Sequence, residues 1–386
     1  MIPYGRQHLD DNDIKAVLDT LQSDWLTQGP AIPKFENALA TYCSANYGVA
    51  VNSATSALHL ACLALGVGEG DFVWTSPNSF VASANCALYC GASIDFVDIE
   101  LHTGNMCVKA LEDKLIIAES TKSLPKVVIP VHFAGQPCDM AKIRSLSERF
   151  GFYVVEDASH AVGARYQDKS VGSCQYSDIC VFSFHPVKII TTMEGGMALT
   201  NNFEWADKMR MLRSHGITSN PAMMTEESHG PWYYQQVALG FNYRMTDVEA
   251  ALGLSQLSKL SEFLESRNEL ARYYDEQLGQ YPGITPLQQS TQRYSSYHLY
   301  VVRVENLIDE RHADIVASLR ENGIFAHVHY IPIHIQPYYK SLGFNVGDYP
   351  NAELYYQQAI TLPLYPDLKK HNVDYIVENL VTLVNS

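Results

Sequence analysis

Residues 179–197 read ICVFSFHPVKIITTMEGGM. The first five, Ile179 to Ser183, have the apolar density of a strand buried on both faces. Beyond them come a lysine, Lys188, an acid, Glu194, and the glycine pair Gly195–Gly196. A lysine on a connecting segment is ordinarily a solvated side chain. One carried to the end of a buried strand, next to glycines that let backbone approach a ligand, can instead be an amine held for covalent chemistry. The choice between these readings depends on what the flanking sequence brings to the same edge.

Working outward, GVAVN, DFVWTSP, SIDFVDI, KVVIPVHF, FYVVEDA and GMALT share the Val-, Ile- and Phe-rich character of buried strands. Helical patterns over residues 54–65, 83–90 and 140–150 lie between several of them. This alternation predicts an α/β fold whose mainly parallel sheet is covered on both faces. In such sheets ligands gather at the carboxyl ends of the strands. From Thr246 the pattern changes to one long helical stretch through 278, with Thr246 and Glu249 as a capping box. Strand-like YHLYVVRV, a helix near 313–321, strand-like IFAHVHY and a terminal amphipathic helix follow. The expected organisation is a large domain over residues 1–255 and a smaller C-terminal α+β domain over 256–386.

Bulk properties narrow the classes. The 386 residues carry a formal charge of −15 and no basic block, which argues against nucleic-acid binding. The most apolar region is interrupted by Asn52, Ser53, Thr55 and His59, so no membrane span is expected. The opening MIPYGRQHLDDND has no apolar signal core. Eight cysteines without a paired framework predict reduced thiols and a cytoplasmic setting. Cys86 and Cys90 share a helix face, but with no second Cys/His pair nearby they are expected as buried small hydrophobes, not metal ligands. GVGEGD at 66–71 follows a helix and precedes a strand, the reverse of a dinucleotide fingerprint, and reads as a helix-ending turn.

Two further stretches bear on Lys188. In NSATSALHLA a strand runs into small hydroxyl residues and then a helix, so amides and hydroxyls near 53–57 suit a dianionic phosphate. Taken alone, ordinary N-capping by Ser53 or Thr55 explains it better. In YVVEDASHA, alternation sends Glu156 and Asp157 to opposite faces. A strand-end carboxylate is usually solvated or capping; it can also keep a heteroaromatic ring nitrogen protonated. Each feature has a bland reading, yet a phosphate cradle, a partner for a pyridinium and a Schiff-base lysine together are what pyridoxal phosphate requires.

With these residues in view the chain resembles the DegT/DnrJ/EryC1/StrS family of sugar aminotransferases, which are fold-type I pyridoxal phosphate enzymes. The resemblance runs through WLTQGPAIPKFE, VNSATSALHLA, TSPNSFVASANCALYCGASIDFVDI, EDASHAVGARY, FSFHPVKIITTMEGG, RSHG, GFNYRMTDVEAALGLSQL and VHYIPIH. SATSALHLAC, ANCALYCGA and FSFHPVKIITTMEGGMA point within the family to pseudaminic acid biosynthesis. NSF and DASHA depart from common family forms with little consequence, whereas the retained Lys188 separates this chain from relatives that carry histidine there and act as dehydrases.

The resemblance implies roles by position. Lys188 matches the lysine that binds the cofactor covalently, and Asp157 the aspartate facing the pyridine nitrogen. Thr55, Ser56 and Ser183 match phosphate-binding hydroxyls, Phe80 the ring stacked on the cofactor, and His160 a polar group beside it. The bland alternatives are a core phenylalanine and a satisfied buried histidine. Asn242 matches an asparagine that reaches the phosphate from the partner subunit, implying a homodimer with shared sites. His327, His329 and Tyr330 of AHVHYIPIH are expected to contact substrate, as are Tyr4, Thr27, Glu194 and His215. A metal site on His327, His329 and His334 is conceivable by spacing but lacks a carboxylate or cysteine nearby.

The activity so implied is transfer of an amino group from L-glutamate, leaving 2-oxoglutarate, to C4 of a UDP-linked 4-keto-6-deoxy-N-acetyl sugar. Pyridoxal 5'-phosphate would be the cofactor and pyridoxamine phosphate (PMP) its intermediate form. The rival expectations are a dehydrase or lyase on the same scaffold, an aminotransferase for another keto sugar or for amino acids, and a cofactor-binding regulator without turnover.

Overall fold

The computed structural model describes residues 1–305 and 309–385. The seven expected strands form one sheet: β1 (Tyr47–Val51), β2 (Phe72–Thr75), β3 (Ser93–Phe96), β4 (Val127–Ile129), β5 (Tyr153–Asp157), β6 (Ile179–Ser183) and β7 (Gly196–Thr200). Their order is β1-β7-β6-β5-β4-β2-β3. Pairing is parallel throughout β6, β5, β4, β2 and β3, and β7 alone runs antiparallel, to both β1 and β6. Because β7 is reversed, it begins at the edge where the other strands end. Gly196 there pairs with Val51 on one side and Ser183 on the other.

Alternation divides the core between the two faces of the sheet. Val49, Val51, Ile179 and Val181 face one apolar cluster with helices α1 (Ala54–Ala64) and α2 (Ala82–Tyr89). Ala50, Cys180 and Phe182 face another, built with Phe35 and Leu39 of the helix Ala31–Cys43. Helix α3 (Met140–Phe150) covers β4 and β5 further along. All three helices fall where periodicity places them.

Residues 246–278 are two helices, not one: α4 (Asp247–Ser258) and α5 (Leu260–Leu278). The Thr246–Glu249 capping box is present. The stretch breaks at Lys259, whose ammonium lies 2.9 Å from Asp10 and 2.5 Å from Asp13 at the start of the helix Asp11–Leu21. Those contacts come from more than 240 residues away and leave no mark on local periodicity. After α5, strands Ile284–Pro286, Tyr300–Val304 and Ala359–Leu362 form an antiparallel sheet. It packs into its own core with α5 and the terminal helix Lys370–Asn385.

The strand expected over IFAHVHY extends only over Ile324–Phe325, which pairs with Ile2–Pro3. Beyond it His327 keeps a single bridge to Thr361, and the chain turns to the loop after β2. There the Tyr330 amide donates to Asn78 Oδ1 at 3.3 Å and the Ile333 amide to Pro77 O at 2.9 Å. Docking on the large sheet replaces pairing within the small one.

Candidate active site

A cleft of about 390 Å³ opens at the carboxyl edge of the sheet, within the size range of small-molecule sites. Its wall includes Thr55, Phe80, Asp157, His160, Ser183 and Lys188. Ser53 caps α1, its hydroxyl accepting from the Ser56 amide at 3.1 Å. Capping and a phosphate cradle are therefore compatible: Ser53 satisfies the helix, while Thr55 reaches the cleft with a hydroxyl that has no hydrogen-bond partner among the described residues. Ser56 behaves otherwise. It is buried, donates to Asn52 Oδ1 at 2.7 Å and does not line the cleft.

The glycine pair brings β7 against this helix start. A Cβ on Gly196 would lie 2.5 Å from the Ala54 nitrogen, and one on Gly195 would lie 2.2 Å from Thr192 Oγ1. Neither position tolerates a side chain without moving the backbone of the cradle or the turn beside it.

Lys188 follows β6 in a turn closed by its own amide donating to His185 O at 2.9 Å. Its ammonium has no ion-pair partner among the described residues. Burial lowers its pKa to about 8, and the Asp157 carboxylate pulls weakly the other way. The amine is thus far closer to its nucleophilic neutral form than a solvated lysine. Asp157 ends β5, 4% exposed, with Oδ2 accepting from Ser83 Oγ at 2.6 Å and Oδ1 from the Ser159 amide at 3.1 Å. Glu156 points to the opposite face, as alternation requires. It meets His132 Nε2 at 2.6 Å and accepts from the Ser177 hydroxyl.

Phe80 is 59% exposed, which dismisses the core reading and leaves an aromatic face at the mouth of the cleft. His160 is buried, and burial followed by the Lys188 charge pushes its pKa well down, so the ring is neutral. Its Nε2 lies 3.1 Å from the Tyr330 hydroxyl, while its buried Nδ1 has no partner. The cleft therefore offers an unpaired amine, a fixed carboxylate, an unbound hydroxyl at a helix start and an exposed ring. This donor set fits a phosphate-bearing heteroaromatic aldehyde.

Of the expected substrate contacts, Tyr4, Glu194, His329 and Tyr330 line the cleft. Tyr4 packs against His327 and His329, ring centroids 5.5 and 5.3 Å apart, and His327 stacks on His329 but does not itself line the cleft. Thr27 bridges to Thr246, and His215 is exposed elsewhere. Asn242 pairs with Ser214 and is not part of its own chain's cleft wall. His334 is bound to Glu353 at 2.8 Å, and no metal-holding group of His, Cys, Asp or Glu occurs among the described residues.

Sequence reasoning missed Ser83 and His298. Ser83 sits one turn after Phe80, at a helix start, which was a usable signal. His298 packs on His160 with ring centroids 4.4 Å apart, and nothing in SSYHLYVV pointed to the cleft. Cys86 lies in the core as a small hydrophobe, in the same apolar cluster as Cys62 of α1, whereas Cys90 is only half-buried against it.

The model of the DegT/DnrJ/EryC1/StrS aminotransferase family matches residues 7–381. The Bacillus subtilis spore coat polysaccharide biosynthesis protein SpsC is 39% identical, over 99% of this chain and 97% of that protein. A Campylobacter jejuni UDP-4-amino-4,6-dideoxy-N-acetyl-beta-L-altrosamine transaminase is 36% identical, over 100% and 98%. Among solved structures, Helicobacter pylori PseC, an aminotransferase involved in the biosynthesis of pseudoaminic acid, superimposes with a TM-score of 0.91 at 34% identity, covering 100% of this chain and 99% of that one. The putative sugar aminotransferase Spr1654 of Streptococcus pneumoniae, in its PMP-form, gives 0.90 at 32% identity, covering 100% and 99%. It is also known in a PLP-form.

Proposed function

The chain belongs to the DegT/DnrJ/EryC1/StrS aminotransferase family, and from that premise we propose that it moves an amino group from L-glutamate to C4 of a UDP-linked 4-keto-6-deoxy-N-acetyl sugar. It is a pyridoxal-phosphate-dependent aminotransferase that passes through the pyridoxamine form. The observation that carries the reading is the convergence of Lys188, Asp157 and the Thr55 and Ser183 hydroxyls on one cleft. The relatives named for UDP-amino-sugar and pseudoaminic acid biosynthesis support the substrate class, and the one named for spore coat polysaccharide biosynthesis supports its destination in a surface glycan.

When bound, the cofactor supplies an electron sink for the carbanion formed at the amino-bearing carbon. Asp157 would hold a proton on the ring nitrogen, and Ser83 and the Ser159 amide fix that carboxylate's angle. Thr55, Ser183 and the start of α1 would take the phosphate, and Phe80 would offer its face to the ring. Lys188 Nζ would hold the cofactor covalently, and as an amine with a lowered pKa it is the group placed to take and return a proton at the amino-bearing carbon. Tyr4, His329 and Tyr330 form the wall where the sugar nucleotide enters.

The protein acts as a homodimer in the cytoplasm, with Asn242 of each chain reaching the other's phosphate. Its place outside its own cleft, and the exposure of Trp232 (75%) and Leu239 (82%) in the preceding loop, support this arrangement. The test is mass spectrometry of products from a panel of nucleotide 4-ketosugars with nitrogen-15 glutamate. Label in a 4-amino sugar is expected. Label appearing only in products of keto acids would replace this reading with an amino-acid aminotransferase, and loss of hydroxyl without label with a dehydrase.

A further inference from the structure

The contact between His160 and Tyr330 has a direction that the surrounding atoms decide. His160 Nε2 lies 3.1 Å from the Tyr330 hydroxyl, and both residues line the cleft. His160 is buried with no carboxylate partner among the described residues, so its ring is neutral and carries one N–H. Its Nδ1 is buried too and meets no hydrogen-bonding group among them. His298, packed on it with ring centroids 4.4 Å apart, supplies none, since its own Nδ1 is likewise unpaired. Tyr330 is pinned from its backbone: its amide donates to Asn78 Oδ1 at 3.3 Å, and Asn78 Nδ2 donates to Gly104 O at 3.1 Å. Its ring stands edge-on to His329, centroids 4.8 Å apart, and His329 Nδ1 lies 2.9 Å from Thr361 Oγ1.

A neutral His160 can meet Tyr330 in two ways. If Tyr330 donated to Nε2, the imidazole proton would sit on Nδ1 as a buried N–H without an acceptor. If Nε2 carries the proton and donates to the phenol oxygen, Nδ1 keeps only a lone pair. As with backbone groups, an orphaned buried N–H is the rarer of the two defects. The second arrangement therefore holds, and it leaves the phenol proton uncommitted. Tyr330 is half-buried and lines the cleft, so that proton is available to a ligand there. Burial, with the charges of Tyr4 and Asp157 adding to it, pushes the phenol pKa up. The hydroxyl thus remains a donor throughout and never serves as a base.

We propose that Tyr330 is a catalytic residue whose hydroxyl, oriented by His160, donates a hydrogen bond to the C4 oxygen of the keto sugar. The assignment rests on the substrate class given under the function above and names the group that meets its reacting carbonyl. A hydrogen bond to that oxygen draws electron density from C4 and makes the carbon a better acceptor for an amine. The same donor stabilises the negative charge that grows on the oxygen as the carbonyl opens. Because His160 and Asn78 fix the phenol beforehand, little reorganisation remains when the sugar arrives. Removal of a proton from glutamate involves no carbonyl oxygen, so that step makes no use of Tyr330.

The test compares Tyr330→Phe with wild type in two ways. In the pyridoxal phosphate holoenzyme without glutamate, a UDP-linked 4-keto sugar binds but has no amine to accept. Infrared difference spectra with carbon-13 at C4 then read its carbonyl alone, and the stretch should lie lower in wild type than in Tyr330→Phe. In single-turnover measurements, amination of the sugar should fall roughly 100-fold in Tyr330→Phe, the scale of removing one donor aimed at a developing oxyanion. Exchange of the glutamate α-hydrogen with deuterium oxide should persist in the variant, which shows that the fold and the Lys188 site are intact. An equal carbonyl stretch in the two proteins would overturn the assignment. So would loss of glutamate exchange in step with amination, because Tyr330 would then act through His160 on the cofactor pocket. Normal amination by Tyr330→Phe would refute this contact alone, whereas a wild type that aminates no UDP-linked keto sugar would refute the substrate class and this contact with it.

Discussion

Trace acetic anhydride, which reacts only with neutral amines, reads the ionisation of Lys188 directly in the cofactor-free protein. Burial lowers this ammonium from 10.5 to about 8. At pH 7 about 9% of the amine is then neutral, against roughly 0.03% for an unshifted lysine, a gain of about 300-fold in the reactive form. Labelling of the Lys188 peptide, measured by mass spectrometry against free phenylalanine as internal standard, should climb about tenfold per pH unit from pH 6 and bend near 8. The Asp157 carboxylate favours the ammonium, so Asp157→Asn should move the bend lower. Phe80→Ala, which admits water at the mouth of the cleft, should move it higher.

The same shift has a stability consequence of fixed sign. Below about pH 8 both folded and unfolded chains carry the proton, and the fold bears the full burial cost. Between about 8 and 10.5 the unfolded chain holds the proton more tightly, so this contribution to stability rises with pH. Lys188→Met should lack that rise. Labelling that climbs without a bend to pH 10, or a bend that moves upward in Asp157→Asn, would refute the account of the lysine as a desolvated amine opposed by one carboxylate.

Lys188→Ala should fold and bind pyridoxal phosphate without the Schiff-base absorbance; an unchanged spectrum with full turnover would reject its role. Asp157→Asn should retain cofactor yet lose about two orders of magnitude in turnover, because a neutral amide cannot hold the ring proton. Glu156→Gln should leave turnover per folded molecule nearly intact but lower chemical-denaturation stability by about 3 kcal/mol, since it strips a buried histidine of its counter-ion. Mixing Lys188→Ala with an inactive Asn242→Ala subunit should recover roughly a quarter of wild-type activity per site, as half the dimers are mixed and each holds one intact site. No recovery after verified exchange would place both residues in one chain's site.

The sheet and the heart of the site were legible because local pattern sets them. Alternation in YVVEDA separates Glu156 from Asp157, and the apolar run before Lys188 marks β6. What was not legible depends on distant partners. The break at Lys259 follows from Asp10 and Asp13; the early end of IFAHVHY follows from Asn78 and Pro77. Ser56 and Ser53 are indistinguishable as hydroxyls in sequence, and only helix capping decides which one is occupied by the backbone.

Adjacent carboxylates on β5 show how one strand serves two tasks. Asp157 faces α2 and the cleft, held by one hydroxyl and one amide. Glu156 faces the other way and pairs with His132, whose pKa rises to about 10 against the opposing effect of burial, through Cys138 and Glu156. Relative to an unfolded histidine, that pair contributes stability that is complete below about pH 6.5 and is lost as pH rises toward 10. His132 also donates its backbone amide to Asp157 O at 3.0 Å. The buried pair therefore clamps the ends of β4 and β5 together from behind, and the clamp acts on the backbone of the residue proposed to hold the ring proton.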